Sequence, residues 1–376
     1  MRFPGFEGEW ENKRIGDIGK FFSGGTPSSS RKDFYGGEIP FIRSGEIHSD
    51  KTELFLTQEG YKNSSAKMVE VGDILLALYG ANSGDISISQ MRGAINQAIL
   101  CIRTNVAPVF FKSVWEKHAQ KILNTYLQGG QGNLSADIVK KITISIPSQI
   151  EQAKIAALFS HLDERISIQN KVIEDLKKLK TALEERMLGQ CQGKQVRLRD
   201  ILIERVEKSR INNQYEVLSS TVSGIYSQRE YFNKEIASAD NTGYKAIHRG
   251  DVVLSPQNLW MGNINYNDRF EIGIVSPSYK VFSIDEKFDK GYIAFLLKTR
   301  KALWAYSLVS EQGASIVRRN LNYESFLEIS FVIPSLKEQQ ATARRLSAFK
   351  QKQTMEEAFL RSLLLQKEFM LKSLFI

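Results

Sequence analysis

The sequence predicts an α+β chain that carries one plan twice: a globular unit with a twisted or barrel-like sheet plus helices, then a long helix. Three observations predict it. A stretch near residue 146 returns 187 residues later. That stretch carries the punctuation of a helix start. Short apolar runs of β type alternate, in both halves, with turns rich in Gly, Ser and Asn.

The repeat comes first. Setting residue i against i+187 matches Asn133 with Asn320, Leu134 with Leu321 and Ile142 with Ile329. It also matches the runs "IPS" at Ile146 and Ile333, then Glu151 with Glu338 and Gln152 with Gln339. Over residues 133–188, twelve of 56 positions are identical without a gap. Upstream the match loosens: Asp17 falls on Asp200 and Asp73 on Asp251, at shorter offsets. The pattern is a duplication in which the globular parts have diverged more than the helices.

The punctuation is physical. In "PSQIE" and "PSLKE" a serine follows proline and a glutamate comes three residues on. This spacing predicts a capping box, with Ser148 and Ser335 accepting a first-turn N–H and Glu151 and Glu338 reaching back to the serine N–H. The prolines end the β-like runs "ISIP" and "FVIP" and discourage helix before the cap. Beyond the cap, apolar residues recur every three or four positions. The first seam runs through Phe159, Leu162, Ile166, Ile173, Leu176 and Leu183. The second runs through Leu346, Phe349, Leu360, Leu363 and Met370. A period near 3.5 keeps one face of a helix against a partner. Polar residues at Gln169, Gln353 and Glu356 argue against a fully buried core helix. Each helix of roughly 40 residues would be about 60 Å long.

The chain of 376 residues thus divides into a first unit, 1–147, a helix, 148–190, a second unit, 191–334, and a second helix, 335–376. The polar stretch "GQCQGKQ" marks the middle boundary. Further helices are expected late in each unit, at 109–127 and 290–307. No apolar run reaches the roughly 18 residues of a membrane span, and the start "MRFPGFEGEWENKRIG" lacks a signal peptide's apolar stretch. Cys101 and Cys191 are the only cysteines, which excludes a disulfide framework. A cytoplasmic protein without a membrane partner is expected.

Catalytic signatures are missing. The four histidines, His48, His118, His161 and His248, have no metal-ligand spacing, so no metal site is expected. Neither GxxxxGK[ST] nor a GxGxxG after a strand occurs. None of the eight prolines follows Asn or Asp, which excludes the catalytic tetrapeptide of amino-methylating enzymes. What the units offer instead are polar-aromatic loops, in a chain with a net charge of +9 that favours a polyanionic partner. Asn, Gln and Arg pair with base edges, while Ser and backbone N–H groups suit phosphates. In the first unit the candidates are Thr26, Arg43, Ser44, Tyr79, Asn82, Gln131 and Asn133. In the second they are Ser220, Asn258, Trp260, Tyr279, Gln312, Arg318 and Arg319.

Taken together, "SGGTPS", "VGDILLALYGANSG", "NQAI", "QGNLSADIVKKITISIP" and "IPSQIEQAKIAALF" make the chain resemble the specificity subunit of type I restriction–modification enzymes. "GDVVLSPQNLW", "VSPSYKVF" and "IPSLKEQQ" extend the resemblance over the second half. The resemblance implies two target-recognition domains, each reading half of a bipartite double-stranded DNA target, and two long antiparallel, coiled-coil-like helices between them. It implies two methyltransferase subunits that hold S-adenosylmethionine and restriction/translocase subunits that use ATP and Mg. The chain itself would then carry no cofactor and no catalysis. The alternatives are the recognition portion of a split or fused restriction–methyltransferase, or a coiled-coil interaction protein without a DNA role.

Overall fold

The computed structural model describes residues 2–126, 133–232, 240–312 and 318–375. Contacts divide the chain into two units, Met1–Asn170 with Ala358–Ile376, and Lys171–Glu357. The division runs through the middle of both long helices, Gln149–Gly189 and Leu336–Leu374, so each unit contains part of both.

The first unit is built on a four-stranded antiparallel sheet in the order Gly19–Ser23, Ile99–Thr104, Ile74–Ala77, Ile86–Ile88. The second repeats that order with Leu202–Glu204, Lys280–Ile284, Val252–Leu254 and Ile264–Tyr266. Ile74–Ala77 and Val252–Leu254 read as unbroken apolar runs because both faces are buried. Ile74 and Leu76 point into one core with Phe110 and Trp115, while Leu75 and Ala77 point into another with Ile42 and Ile95. Val252 and Leu254 on one side and Val253 on the other make the same division in the second unit. The described strands form sheets of two or four strands and none closes into a barrel. The strands of these two sheets are only three to six residues long, and separate short sheets replace the barrel-like alternative.

The matched aspartates lock the turn that enters each central strand. Gly72 and Gly250 adopt φ of +94° and +95°, which only glycine takes without strain. The next residue then accepts an N–H three positions back, Asp73 from Glu70 and Asp251 from His248, both at 2.8 Å. The late helices are Pro108–Tyr126 in the first unit and, in the second, a pair, Lys290–Leu296 and Arg300–Leu308. The single helix expected over 290–307 is broken because the Thr299 hydroxyl caps a new start, accepting the Ala302 N–H at 3.2 Å.

The capping boxes form only in part. Ser148 Oγ accepts the Glu151 N–H at 3.4 Å, but the Glu151 carboxylate turns away and takes a bidentate pair from Arg2 at 2.8 Å. Glu338 does accept the Ser335 N–H at 3.0 Å, and the Ser335 hydroxyl donates to the same carboxylate at 2.6 Å. The residue after each glutamate holds the junction. Gln152 Nε2 donates to Pro147 O at 2.9 Å, while its Oε1 accepts the Ala107 N–H at 3.2 Å. Gln339 Nε2 donates to Pro334 O at 2.9 Å, and its Oε1 accepts the Asp289 N–H at 2.9 Å. Ala107 and Asp289 stand just before Pro108–Tyr126 and Lys290–Leu296, so each buried glutamine clamps a long helix to the late helix of its unit.

Along the long helices, Phe159, Leu162, Ile173, Leu346 and Leu363 are buried. Ile166, Leu176, Leu183, Phe349, Leu360 and Met370 are half-buried. Gln169, read as a polar interruption, is also buried. In the first unit Phe159 stacks on Phe375 with centroids 5.7 Å apart, Asp163 pairs with Lys367 and Arg165 lies over Phe359. Numbers rise along one helix as they fall along the other, so the two run antiparallel. In the second unit Leu183 and Met187 share a core with Ala343 and Leu346, and Lys177 faces Glu357, again antiparallel. Phe375 and Leu188, equivalent at the offset of the repeat, each end a long helix in the core of a unit.

Candidate nucleic-acid interface

In the first unit the candidates gather where the central strand ends. Leu78 N–H donates to Ala98 O and Leu78 O accepts the Leu134 N–H, both close to 2.9 Å or shorter. These two bonds place Tyr79, Gln97 and Asn133 side by side. Tyr79, Asn82 and Asn133 are exposed. Thr26 is exposed too and donates to Gln97 Oε1 at 2.7 Å, joining the group. Gly24 allows this approach, since a Cβ there would lie 1.7 Å from Ile95 O. The turn Ser44–Glu46 adjoins, with a Cβ at Gly45 falling 3.7 Å from Asn82 Nδ2. Ser44 is half-buried on that turn. Gln131 lies outside the described residues.

Arg43 does not stand free for a phosphate. Its guanidinium bonds Glu46 at 3.0 and 3.1 Å and Glu53 at 3.1 Å, and the Glu46 bond raises its pKa above the ordinary value. Burial opposes ionisation of Glu46, yet the bonds from the Arg43 side chain and N–H outweigh it and hold the carboxyl at about 2. Arg43 therefore shapes the turn that presents Ser44 and faces Asn82.

In the second unit the helical turn Pro256–Met261 carries Asn258 and Trp260 and ends on left-handed Gly262. The Arg319 guanidinium sits 4.1 Å from the Trp260 ring, a cation–π contact that brings the hairpin Ser310–Gln312 and Arg319–Leu321 onto this turn. Gln312 is the cross-strand partner of Arg319, and Arg318 and Gln312 are exposed. Asn258, Trp260, Gln312, Arg318 and Arg319 thus form one group.

Ser220 and Tyr279 lie beneath it. Ser220 is only 3% exposed. Its hydroxyl donates to Asn263 Oδ1 and accepts from Asn265 Nδ2, each at 2.7 Å, while its carbonyl accepts from Asn263 Nδ2 and the Tyr279 hydroxyl. With its bonding capacity filled in the interior, Ser220 supports the loops and does not contact a ligand. The expectation of a surface contact is corrected there.

Several residues of this framework escaped the sequence reading. Asn263, Asn265 and Asn267, spaced by two, are all buried, and that period was the signal that they share the inner face of a strand. Lys298, whose side chain reaches across from the helix pair, donates to Gly262 O at 2.8 Å and Val222 O at 3.2 Å and ties the two turns together. No local pattern marks it.

Both groups are open, polar and aromatic, with no nucleophile–base pair among the described residues they contain. They suit recognition of a surface more than chemistry on an enclosed substrate.

Residues 7–178 match the family described as "Type I restriction modification DNA specificity domain". The chain is 29% identical over 185 residues to the type I restriction enzyme MjaIX specificity subunit of Methanocaldococcus jannaschii, covering 46% of this chain and 42% of that protein. It is 28% identical over 186 residues to the HindI specificity subunit of Haemophilus influenzae, covering 45% and 39%. The chain thus spans about two fifths of the length of these relatives. Over 93% of its length it is 22% identical to the MjaVIII specificity subunit of Methanocaldococcus jannaschii, of which it covers 90%. The fold is similar to that of the type I restriction–modification S subunit of M. genitalium, with a TM-score of 0.62 at 15% identity, over 98% of this chain and 96% of that one. Residues 7–178 thus match a specificity domain, and the chain is similar in sequence and in fold to type I restriction enzyme specificity subunits.

Proposed function

We propose that the chain is the DNA sequence-recognition subunit of a type I restriction–modification complex, reading a bipartite double-stranded target with one loop group per unit. The observation that carries the reading is the duplication itself. One sheet order and one glutamine clamp occur twice, while the loop groups above them differ. A protein that reads two different half-sites from one scaffold needs that combination.

In this reading Tyr79, Asn82 and Asn133 contact one half-site, and Asn258, Trp260, Gln312, Arg318 and Arg319 the other. The long helices set the distance between half-sites and offer surface to two methyltransferase subunits and to restriction subunits. Those partners supply S-adenosylmethionine, ATP and Mg, and this chain positions their chemistry without performing any. Such a role places it in the cytoplasm. No described helix is long and apolar enough to cross a membrane.

The test exchanges residues 1–147 for the first unit of another specificity subunit and maps the methylated motif. One half of the motif changes and the other stays. A change in both halves would overturn the reading.

A further inference from the structure

The glutamine clamps are a side-chain device that both halves keep intact. Gln152 and Gln339 are 5% and 3% exposed, and each uses its amide in both directions. The NH2 donates to the proline carbonyl five residues back, and the oxygen accepts the N–H just ahead of the late helix. All four partners are backbone groups, so the clamp senses where the chain runs and not which side chains the unit carries. An amide reading two backbones at once fixes both the direction in which the long helix leaves its unit and the turn of the unit about that helix.

We propose that Gln152 and Gln339 are positioning residues for spacing: each sets the angle of its reading unit on the long helix, and so decides which separation of half-sites is accepted. The inference rests on the function proposed above. It assigns spacing to two named amides in addition to helix length. Loss of a clamp would leave the loop groups intact, because neither glutamine touches them. The preferred bases would stay and the tolerated spacings would widen.

Replacing the amide by a carboxyl gives a switchable version. In Gln152→Glu the ionised carboxylate still accepts the Ala107 N–H but opposes Pro147 O. Once protonated, its O–H donates to Pro147 O and the clamp is whole again. The cavity of about 920 Å3 that Gln152 lines is bordered by Glu9, Glu11 and Asp17 and by Lys13, Lys20 and Arg103. Charges of both signs balance there, and Glu151 beside it on the helix is occupied by Arg2. Burial next to a carbonyl raises the new carboxyl above the ordinary value of about 4.3, within reach of mild acid.

The experiment selects randomised duplex DNA with the full-length chain, as wild type, Gln152→Leu and Gln152→Glu, at about pH 5 and about pH 8. Sequencing the bound duplexes reads half-site bases and spacer length together. The wild type enriches one spacer at both pH values. Gln152→Leu enriches the same half-sites with about tenfold weaker discrimination between spacers differing by one base pair. Gln152→Glu behaves like Gln152→Leu at the higher pH and like the wild type at the lower.

A uniform loss of binding at every spacer would mean that the clamp only stabilises the fold, and would overturn the proposal. So would unchanged spacer discrimination in Gln152→Leu, or no recovery of Gln152→Glu in acid. A wild type that enriches no bipartite sequence would instead overturn the function on which the proposal rests.

Discussion

The two units share a topology and the backbone-directed bonds that hold it, yet they secure the long helices differently. In the first unit Lys367 bonds both Glu116 and Asp163 at 2.8 Å, and Lys112 closes the ring to the same two carboxylates. Phe159, Phe375, Phe110 and Trp10 pack together in the same unit, with the centroids of contacting rings 5.6 to 6.3 Å apart. At the equivalent places the second unit has Ala294 for Lys112, Lys298 for Glu116 and Lys350 for Asp163. Leu346 and Leu188 stand in for the two phenylalanines, and Lys180 bonds Glu184 on its own helix. The glutamine and aspartate bonds to backbone survived the divergence of the copies, whereas these contacts between side chains were rewritten. Backbone partners persist through every substitution except one by proline, which removes the N–H, so mainly the glutamine or aspartate itself has to stay.

The difference can be broken from its largest element downward. Phe159→Ala removes a fully buried ring from the first core and costs about 3–5 kcal/mol, read as lost hydrogen-exchange protection in that unit while the second unit keeps its own. Asp163→Ala strands Lys112 and Lys367 beside one carboxylate; for a half-buried ring it costs about 2–3 kcal/mol in denaturant unfolding. The matching Lys350→Ala, in a solvent-exposed pair with Asp268, costs at most about 1 kcal/mol. Gln339→Leu leaves the Asp289 N–H and Pro334 O unpaired and lowers stability by about 1–3 kcal/mol, as Gln152→Leu does for its own unit. A marked inequality between the two would contradict the equivalence of the clamps.

The smallest effect is one of sign. Burial opposes the charge on Asp73, but the bonds from Arg103 and the Glu70 N–H prevail and lower its pKa. Its contribution to folding is full above the unfolded value near 4 and fades as pH falls through the lower folded value. Asp251 is shifted the other way, raised by burial against the bond from His248 and the charge of Arg205. Its charged form therefore weakens folding as pH rises from about 4 to its raised folded value. Asp73→Asn and Asp251→Asn should change the acid limb of stability in opposite directions, which a pH series of thermal unfolding reads directly.

How much was legible follows the same division. The helix seam could be read because a period of 3.5 is a property of one element: Phe159, Leu162, Ile173, Leu346 and Leu363 are buried and the other seam residues half-buried. The sheet strands were visible as apolar runs, but their order was not, since nothing local says that Ile74–Ala77 lies between Ile99–Thr104 and Ile86–Ile88. Glu151 was assigned to the wrong partner because Arg2, 149 residues away, outbids a serine N–H, and sequence spacing cannot show that. Gln152 was in plain view beside it, matched in both copies. Its role was hidden because its partners are backbone atoms that carry no residue identity. Tyr79 and Trp260 were placed by the turns around them, while the burial of Ser220 depended on Asn263 and Asn265 more than 40 residues on.

The discontinuity of the first unit bears on how the protein is made. Leu374 and Phe375 belong to its core, and Phe375 O accepts from Lys117, so that core is incomplete until the far end of the chain has emerged. The second unit, contiguous from Lys171 to Glu357, has everything it needs before then. Synthesis would usually let the leading domain fold first; here the later unit should close first and the leading one wait with its apolar groove open. A chain lacking residues 358–376 should keep slow exchange in the second unit and lose it in the first. In the interval between those two closings the apolar residues of the first core would stay open to solvent.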